Sequence, residues 1–282
     1  MGYRRTEAER SAEVEMYTKR LEEGIQNIRS SAEYQEFLDY ASRFHGYSLS
    51  NTMLIMMQCE NASQVAGFAA WKKMGRYVKK GEKAIKIFAP LHHKVIEEDA
   101  NGNEVEYTRL HGFRLVNVFD VSQTDGMPLP ENPLQFSISE DEVEGLDSLV
   151  SAITSVASYP VEYSSISEKD VSGYCNHQAK KITISSDLKG VGKVNVLLHE
   201  TAHSLLHAGS KLSSQEKEVE AESVAYIVSR YLGIDTSEAS FGYVASWAAS
   251  MNDDEYKERI KAILGVAHQI IDHIDTSLAL VA

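Results

Sequence analysis

At 282 residues, 43% of them apolar and only 5 of them Pro, the chain is long enough for two globular domains that each bury a core. Its two cysteines, Cys59 and Cys175, lie far apart and in no CxxC pair, which argues against a disulfide framework or a cysteine zinc site and for a reducing compartment. A formal net charge of −13 argues against nucleic acid on average, but the charge is uneven: −1 over residues 1–125 and −12 over the remainder, with +7 between Trp71 and Lys94.

Met1 to Glu23 mixes acids and bases without an apolar core, so it does not read as a signal peptide. Apolar runs such as Met53 to Met57 are far too short to span a bilayer. The expectation is a soluble, cytoplasmic protein with no membrane partner. Arg4 to Ser30 reads as a charged amphipathic helix, and Ala32 to Phe44 as a second with Tyr34, Phe37, Leu38 and Ala41 on one face. Ser50 or Asn51 caps a third, running through Leu54, Ile55 and Met57. After Gly67 the pattern changes: Lys83 to Phe88 alternates charged and apolar residues as a strand does. Val95-Ile96 and Tyr107 flank an Asn101-Gly102 turn signal, giving a hairpin, and Phe113 to Val121 is a further strand. Gly126, Pro128, Pro130 and Pro133 interrupt any regular element, which places a linker at 127–138 between domains at 1–126 and 139–282.

The second part opens on a helix from Ser139, its cap, to Ala157. Short strands follow at Tyr163, Gly173 to Cys175 and Lys181 to Ser185, the last two joined by a turn at His177 to Lys180. Helices then run from Lys193 to His207, from Glu216 to Leu232 with Gly233 as stop, and from Glu255 to Ile274. Strands leading into paired helices make an α+β fold.

The helix from Lys193 carries His199-Glu200-Thr201-Ala202-His203. Histidines four apart lie one turn above each other and can reach a single Zn²⁺, while Glu200 lies beside the metal, placed to take a proton from attacking water. Val194, Leu197, Leu198, Ala202 and Leu205 surround the motif with residues suited to burial. A catalytic zinc needs a third protein ligand. His207 is excluded: eight residues from His199, it lies about 12 Å along the helix axis. The acidic start of the next helix, Glu216 to Glu222, is the other source. Its apolar arc comprises Ala221, Val224, Ala225, Ile227, Val228, Tyr231 and Leu232, with Glu218 and Glu220 near opposite edges, so geometry alone leaves both open.

In the first part, Arg76, Lys79, Lys80, Lys83 and Lys86 supply a cationic track, and Trp71, Tyr77 and Phe88 offer flat faces on which bases can stack. Lys79, Lys80 and Lys83 are expected to be exposed together around Gly81. Asp120, Gln123 and Thr124 are expected to shape the turn that precedes the linker.

The His199 to His203 motif followed by Glu218-Val219-Glu220-Ala221-Glu222-Ser223-Val224-Ala225 resembles zincin-like (gluzincin-type) peptidase domains of the ImmA/IrrE type, and more closely the peptidase half of ArdC-type antirestriction proteins of conjugative elements. The first part is similar to the ArdC N-terminal single-stranded-DNA-binding domain in Ser50-Asn51, Trp71 to Met74, Gly75-Arg76-Tyr77-Val78-Lys79-Lys80-Gly81-Glu82-Lys83 and Val118 to Gly126. The resemblance implies Glu218 as third ligand and Glu222 as a hydrogen-bond partner of a ligand histidine; Glu220 departs from the family pattern. It implies a zinc metallopeptidase with Glu200 as catalytic base, fused to a single-stranded-DNA-binding domain and acting in antirestriction or conjugative transfer of a mobile element. Tyr174, before the motif helix, is a candidate for holding substrate or an oxyanion. The alternative is a non-proteolytic DNA-binding antirestriction protein whose metal site is structural or regulatory. The protein or peptide substrate is not identified by sequence.

Overall fold

The computed structural model describes residues 6–98, 104–129, 145–168, 171–234, 236 and 241–279. Three helices come first, α1 (Glu7–Asn27), α2 (Ser31–Arg43) and α3 (Leu49–Gln58), then β1 (Val65–Ala66), α4 (Phe68–Lys73) and β2 (Arg76–Val78). A long pair of strands, β3 (Ile85–Glu98) and β4 (Glu104–Asp120), leads to β5 (Thr124–Gly126). Further along lie α5 (Leu146–Val156), β6 (Val161–Ser164), β7 (Gly173–Asn176) and β8 (Lys181–Ser185). Helices α6 (Gly190–Leu206), α7 (Ser214–Tyr231), α8 (Val244–Ala249) and α9 (Asp253–Ala279) complete an α+β fold. The Asn101-Gly102 turn, Ser139 and residues 130–138 of the expected linker lie outside the described residues. Within them, the helix expected from Ser139 is seen from Leu146, after Gly145. No helix among the described residues is long and apolar enough to cross a membrane.

Contacts divide the chain into two compact units, Met1–Ile25 with Ser50–Leu129, and Gln26–Leu49 with Pro130–Ala282. This division differs from a single cut near residue 126, because α2 belongs to the second unit. The reason is its apolar stripe: Tyr34, Phe37, Leu38 and Ala41 are all buried. The Tyr34 hydroxyl is 2.9 Å from Ser223 Oγ on α7, and its ring meets Phe241 and Trp247 edge-on. Arg230 and Tyr226 of α7 both donate to the Asp39 carboxylate of α2.

In the first unit, β1, β4 and β3 form an antiparallel sheet in that order, and β2 pairs with β5. Val95 lies opposite Tyr107, so the two segments expected to form a hairpin do pair. Ile85, Ile87 and Val118 point from the sheet into the core, which also holds Met53, Leu54 and Ile55 of α3. Helix α3 lies along the outer edge of β3, where Gln58 Nε2 donates to the Lys86 carbonyl and Gln58 Oε1 accepts from the Lys86 N–H at 3.0 Å. Asp120 ends β4. Its buried carboxylate accepts from the backbone N–H groups of Ser63, Gln64 and Ser122, and Gln123 caps it in return.

In the second unit, β8 lies between β6, parallel to it, and β7, antiparallel, so β7 is an edge strand among the described residues. Gly173 on β7 is required by close approach: a Cβ there would stand 2.7 Å from Val196 Cγ1 of α6. Ile182, Ile184, Val194, Leu197, Leu198, Val224, Ile263 and Ile270 are fully buried where the sheet and α5, α6, α7 and α9 meet. Each contributes about 1.5–3 kcal/mol relative to exposure. Helix α7 begins with a capping box between Ser213 and Glu216, and Gly233, at φ +77°, follows its end.

Candidate metal centre and basic strip

Helix α6 runs unbroken through the histidine motif because nothing from Lys193 to Leu206 is Gly or Pro, and its buried face anchors it between the sheet and α7. One i, i+4 step stacks His199 and His203, whose rings stand 4.7 Å apart. Helix α7 packs beside α6 and delivers Glu218 to the same point. His199 Nε2 lies 3.0 Å from His203 Nε2 and 3.1 Å from Glu218 Oε2, and His203 Nε2 is 3.4 Å from Glu218 Oε1. One donor atom from each of these three residues lies within 4.8 Å of the others, and among the described residues they form the group able to hold a metal ion. In a tetrahedral zinc site, neighbouring donors stand about 3.3 Å apart. Two imidazole nitrogens and a carboxylate at these separations fit a divalent cation.

The three acids of α7 point differently. Glu222 Oε2 is 3.3 Å from His199 Nδ1, on the far side of that ring from Glu218. Glu220 faces away and is buried, with Oε2 3.3 Å from His207 Nε2 and Oε1 3.6 Å from Arg259 Nε. Glu218, Glu222 and the two motif histidines therefore share one cluster that Glu220 does not enter. His207 follows α6 as its C-terminal cap, and its Nδ1 is 2.9 Å from His203 Nδ1. The structural part played by Glu220 was not legible in the sequence, where one more acid in an acidic helix start carries no distinguishing signal.

Glu200, also buried, joins the cluster in a cleft of about 550 Å³ lined by Val171 to Cys175, Asn195, Val196, His199, Glu200, His203, Glu218 and Glu222. Burial, with repulsion from Glu218 and opposed by His199, pushes the Glu200 carboxyl up to about 7. That is a range suited to proton exchange near neutrality. Burial disfavours charge on His199, but Glu218 and Glu222 outweigh it and raise the imidazole to about 10. His199 and His203 together hold Glu218 well below the usual carboxylate range. Burial lowers His203. Tyr174 is exposed and lines the cleft. The Cys175 thiol is pushed up to about 12 by burial and then by Glu200, so it stays protonated.

The basic strip divides. Lys79, Lys80 and Lys83 are exposed around Gly81, whose φ of +93° turns the chain there. Gln123 holds that turn through Lys79 N–H and the Lys83 carbonyl. The Tyr77 ring is exposed too, as is Phe68, which the sequence reading did not single out. The remaining expectations need correction. Trp71 is fully buried with its Nε1–H given to the Phe119 carbonyl, so it has no face to offer a base. Arg76 spends its guanidinium on Thr124 Oγ1, the Thr124 carbonyl and the Met127 carbonyl, tying β2 to β5 and the residues beyond. Lys86 is largely covered and lies 3.7 Å from Glu13. Phe88 is half-buried, edge-on to Phe113.

Residues 11–121 match the profile of the family described as the N-terminal domain of anti-restriction factor ArdC. An uncharacterized Bacillus anthracis protein, pXO2-81, is 26% identical over 305 aligned residues, which cover 94% of this chain and 51% of that protein. The chain thus spans about half the length of the curated relative it matches. The metal-free crystal structure of antirestriction protein ArdC from plasmid R388 superposes with a TM-score of 0.51 at 21% identity, covering 82% of this chain and 84% of that one. The Mn(II)-bound structure of the same protein gives a TM-score of 0.49 at 19% identity, with 81% and 83% covered. Residues 11–121 are therefore similar to the ArdC N-terminal domain, and the chain shares the fold of the metal-free R388 protein over 82% of its length.

Proposed function

We propose that this protein is a zinc-dependent peptidase fused to a single-stranded-DNA-binding unit, and that it acts in antirestriction or conjugative transfer of a mobile element. The observation that carries the chemistry is the meeting of His199 Nε2, His203 Nε2 and the Glu218 carboxylate in a cleft that also holds Glu200. When bound there, Zn²⁺ would supply Lewis acidity toward a carbonyl and toward water. Glu222 and His207 hold the outer nitrogens of the two histidines, which keeps the inner nitrogens turned toward the site. Glu200, buried and raised to about 7, takes a proton from water and returns it to the departing amine. Strand β7 lines the same cleft at the edge of its sheet, a place suited to an extended peptide laid alongside, and the Cys175 N–H donates to the Glu200 carboxyl.

Antirestriction is what the name of the R388 protein says of that protein. It extends to this chain as part of the proposal, along with a role for the unit that carries the basic strip in holding DNA through Lys79, Lys80, Lys83 and Tyr77. The test is hydrolysis of candidate protein substrates by zinc-loaded protein, with Glu200→Gln as control. Cleavage in the wild type and its loss in the variant are expected, and equal activity in both sinks the peptidase reading.

A second reading rests on the exposed lysines around Gly81, which peptide hydrolysis does not need. On it, the protein coats entering strands and the metal centre serves stability or regulation. Protection of single strands from restriction enzymes that survives Glu200→Gln favours this reading.

A further inference from the structure

Behind the candidate metal centre, a chain of polar groups runs from His203 through the buried His207 and Glu220 to the half-exposed Arg259 on α9. The side chain of His207 is fully buried and that of Glu220 is 1% exposed. Buried polar groups persist when they find partners, and here the order in which His203, His207 and Glu220 Oε2 hydrogen-bond has a consequence at the metal centre.

We propose that His207 and Glu220 are positioning residues that fix His203 in the tautomer whose Nε2 carries a lone pair toward Glu218 and His199. The inference rests on the metal-centre reading for its purpose, though its geometry stands independently. A carboxylate only accepts hydrogen bonds, so the contact of 3.3 Å from Glu220 Oε2 requires the proton of His207 on Nε2. A neutral His207 then has its lone pair on Nδ1. Its Nδ1 lies 2.9 Å from His203 Nδ1, and one of those two nitrogens must be the donor. His203 therefore carries its proton on Nδ1, which leaves Nε2 free as a ligand atom. The proposed order needs one proton on each ring, and it leaves His203 Nε2 able to accept from His199 Nε2 at 3.0 Å.

The placement explains the alternation of acids along α7. Glu218 and Glu222, one turn apart, face the two histidines, and Glu220, about 200° around the helix from Glu218, reaches the back of the site through His207. The His199, His203, His207 series continues the four-residue spacing, but the helix stops at Leu206. His207 then serves the second histidine instead of the ion.

The test uses the full-length chain and two readouts. In metal-free protein, ¹⁵N shifts of the His203 ring report its tautomer. Competition with a chromophoric chelator gives the Zn²⁺ dissociation constant. The wild type is expected to show the Nδ1–H form of His203. His207→Phe, which keeps a ring but has no acceptor, is expected to populate the Nε2–H form and to weaken Zn²⁺ binding about 10–100-fold. His207→Asn, whose amide oxygen can stand near the place of Nδ1, is expected to recover most of both. Thermal unfolding checks that each variant folds. Should the His207 variants fail to fold, Glu220→Met, of similar length, is the second probe: it has no oxygen to accept the His207 Nε2–H, so His203 is expected to gain the Nε2–H form. A wild-type His203 in the Nε2–H form overturns the proposal. So does a tautomer and affinity unchanged in His207→Phe or, where that variant does not fold, a tautomer unchanged in Glu220→Met. If wild-type protein takes up no Zn²⁺, or keeps its affinity in Glu218→Ala, the metal-centre reading fails instead, and the ring shifts still decide the relay.

Discussion

Asn51 of α3 and Phe88 of β3 exchange two hydrogen bonds as though they were neighbouring strands: Asn51 Nδ2 donates to the Phe88 carbonyl at 2.9 Å, and Phe88 N–H donates to Asn51 Oδ1 at 2.8 Å. Gln58, two helical turns on, does the same for Lys86. Two amides thus continue the ladder along an edge that would otherwise be open to another strand. Asn51→Leu removes both partners of Phe88 and is expected to cost about 1–3 kcal/mol, read as a lower urea midpoint at unchanged slope. Asn51→Asp, which keeps the acceptor alone, should fall between the two.

Asp120 offers a stability term with a defined pH range. Burial alone would raise its carboxyl, but the N–H groups of Ser122, Ser63 and Gln64 outweigh that and hold it below the ordinary 3.8. A carboxyl depressed on folding stabilises the folded state above its unfolded pKa, and this contribution is lost as pH falls through the lower folded value. Asp120→Asn, which turns an N–H donor toward other donors, should destabilise by about 2–3 kcal/mol at pH 7. It should also flatten the loss of stability below pH 4, measured by unfolding curves across pH 2–7.

Among the acids of α7, Glu218→Ala is expected to abolish stoichiometric Zn²⁺ uptake, since it removes one of three donor groups. Glu222→Ala is expected to weaken uptake about 10–100-fold by releasing His199 Nδ1. Chelator competition on the two proteins ranks them. An equal effect would mean that both carboxylates enter the first coordination sphere.

Glu200→Gln should retain Zn²⁺, because Glu200 is not among the three grouped donors. It should lower any hydrolysis about 10²–10⁴-fold. Metal content measured on the same preparation separates loss of the base from loss of the ion.

For DNA, Lys79→Ala with Lys80→Ala should reduce the slope of log affinity against log salt by about 1.4 on single strands, if each lysine neutralises one phosphate. Tyr77→Ala should weaken binding by about 1–3 kcal/mol. Trp71→Phe should lower stability through the lost bond to Phe119, and leave the salt slope unchanged.

Local order was largely readable before any fold was known. The four-residue stripe of α2, the helix through His199 and His203, the Gly233 stop of α7, and the Asp120 turn all depend on residues within a few positions of one another. Backbone periodicity and capping act over that range, so spacing alone says which side chains share a face. That is why the two histidines and their glutamate could be recognised as a unit, and why an α+β architecture followed.

What spacing could not convey is which neighbour a face meets. The apolar stripe of α2 gives no sign that it packs on α7, nearly two hundred residues away, and leaves the N-terminal unit. Trp71 and Arg76 look in the sequence like members of a nucleic-acid surface, yet one is enclosed and the other is consumed by backbone carbonyls. Glu218, Glu220 and Glu222 are chemically alike. Their separate roles arise when α7 docks on α6 at one rotation, with two carboxylates toward the histidines and the third toward His207. A helix's own residues set the angles between its side chains, while the rotation that aims them is set by packing against distant parts of the chain.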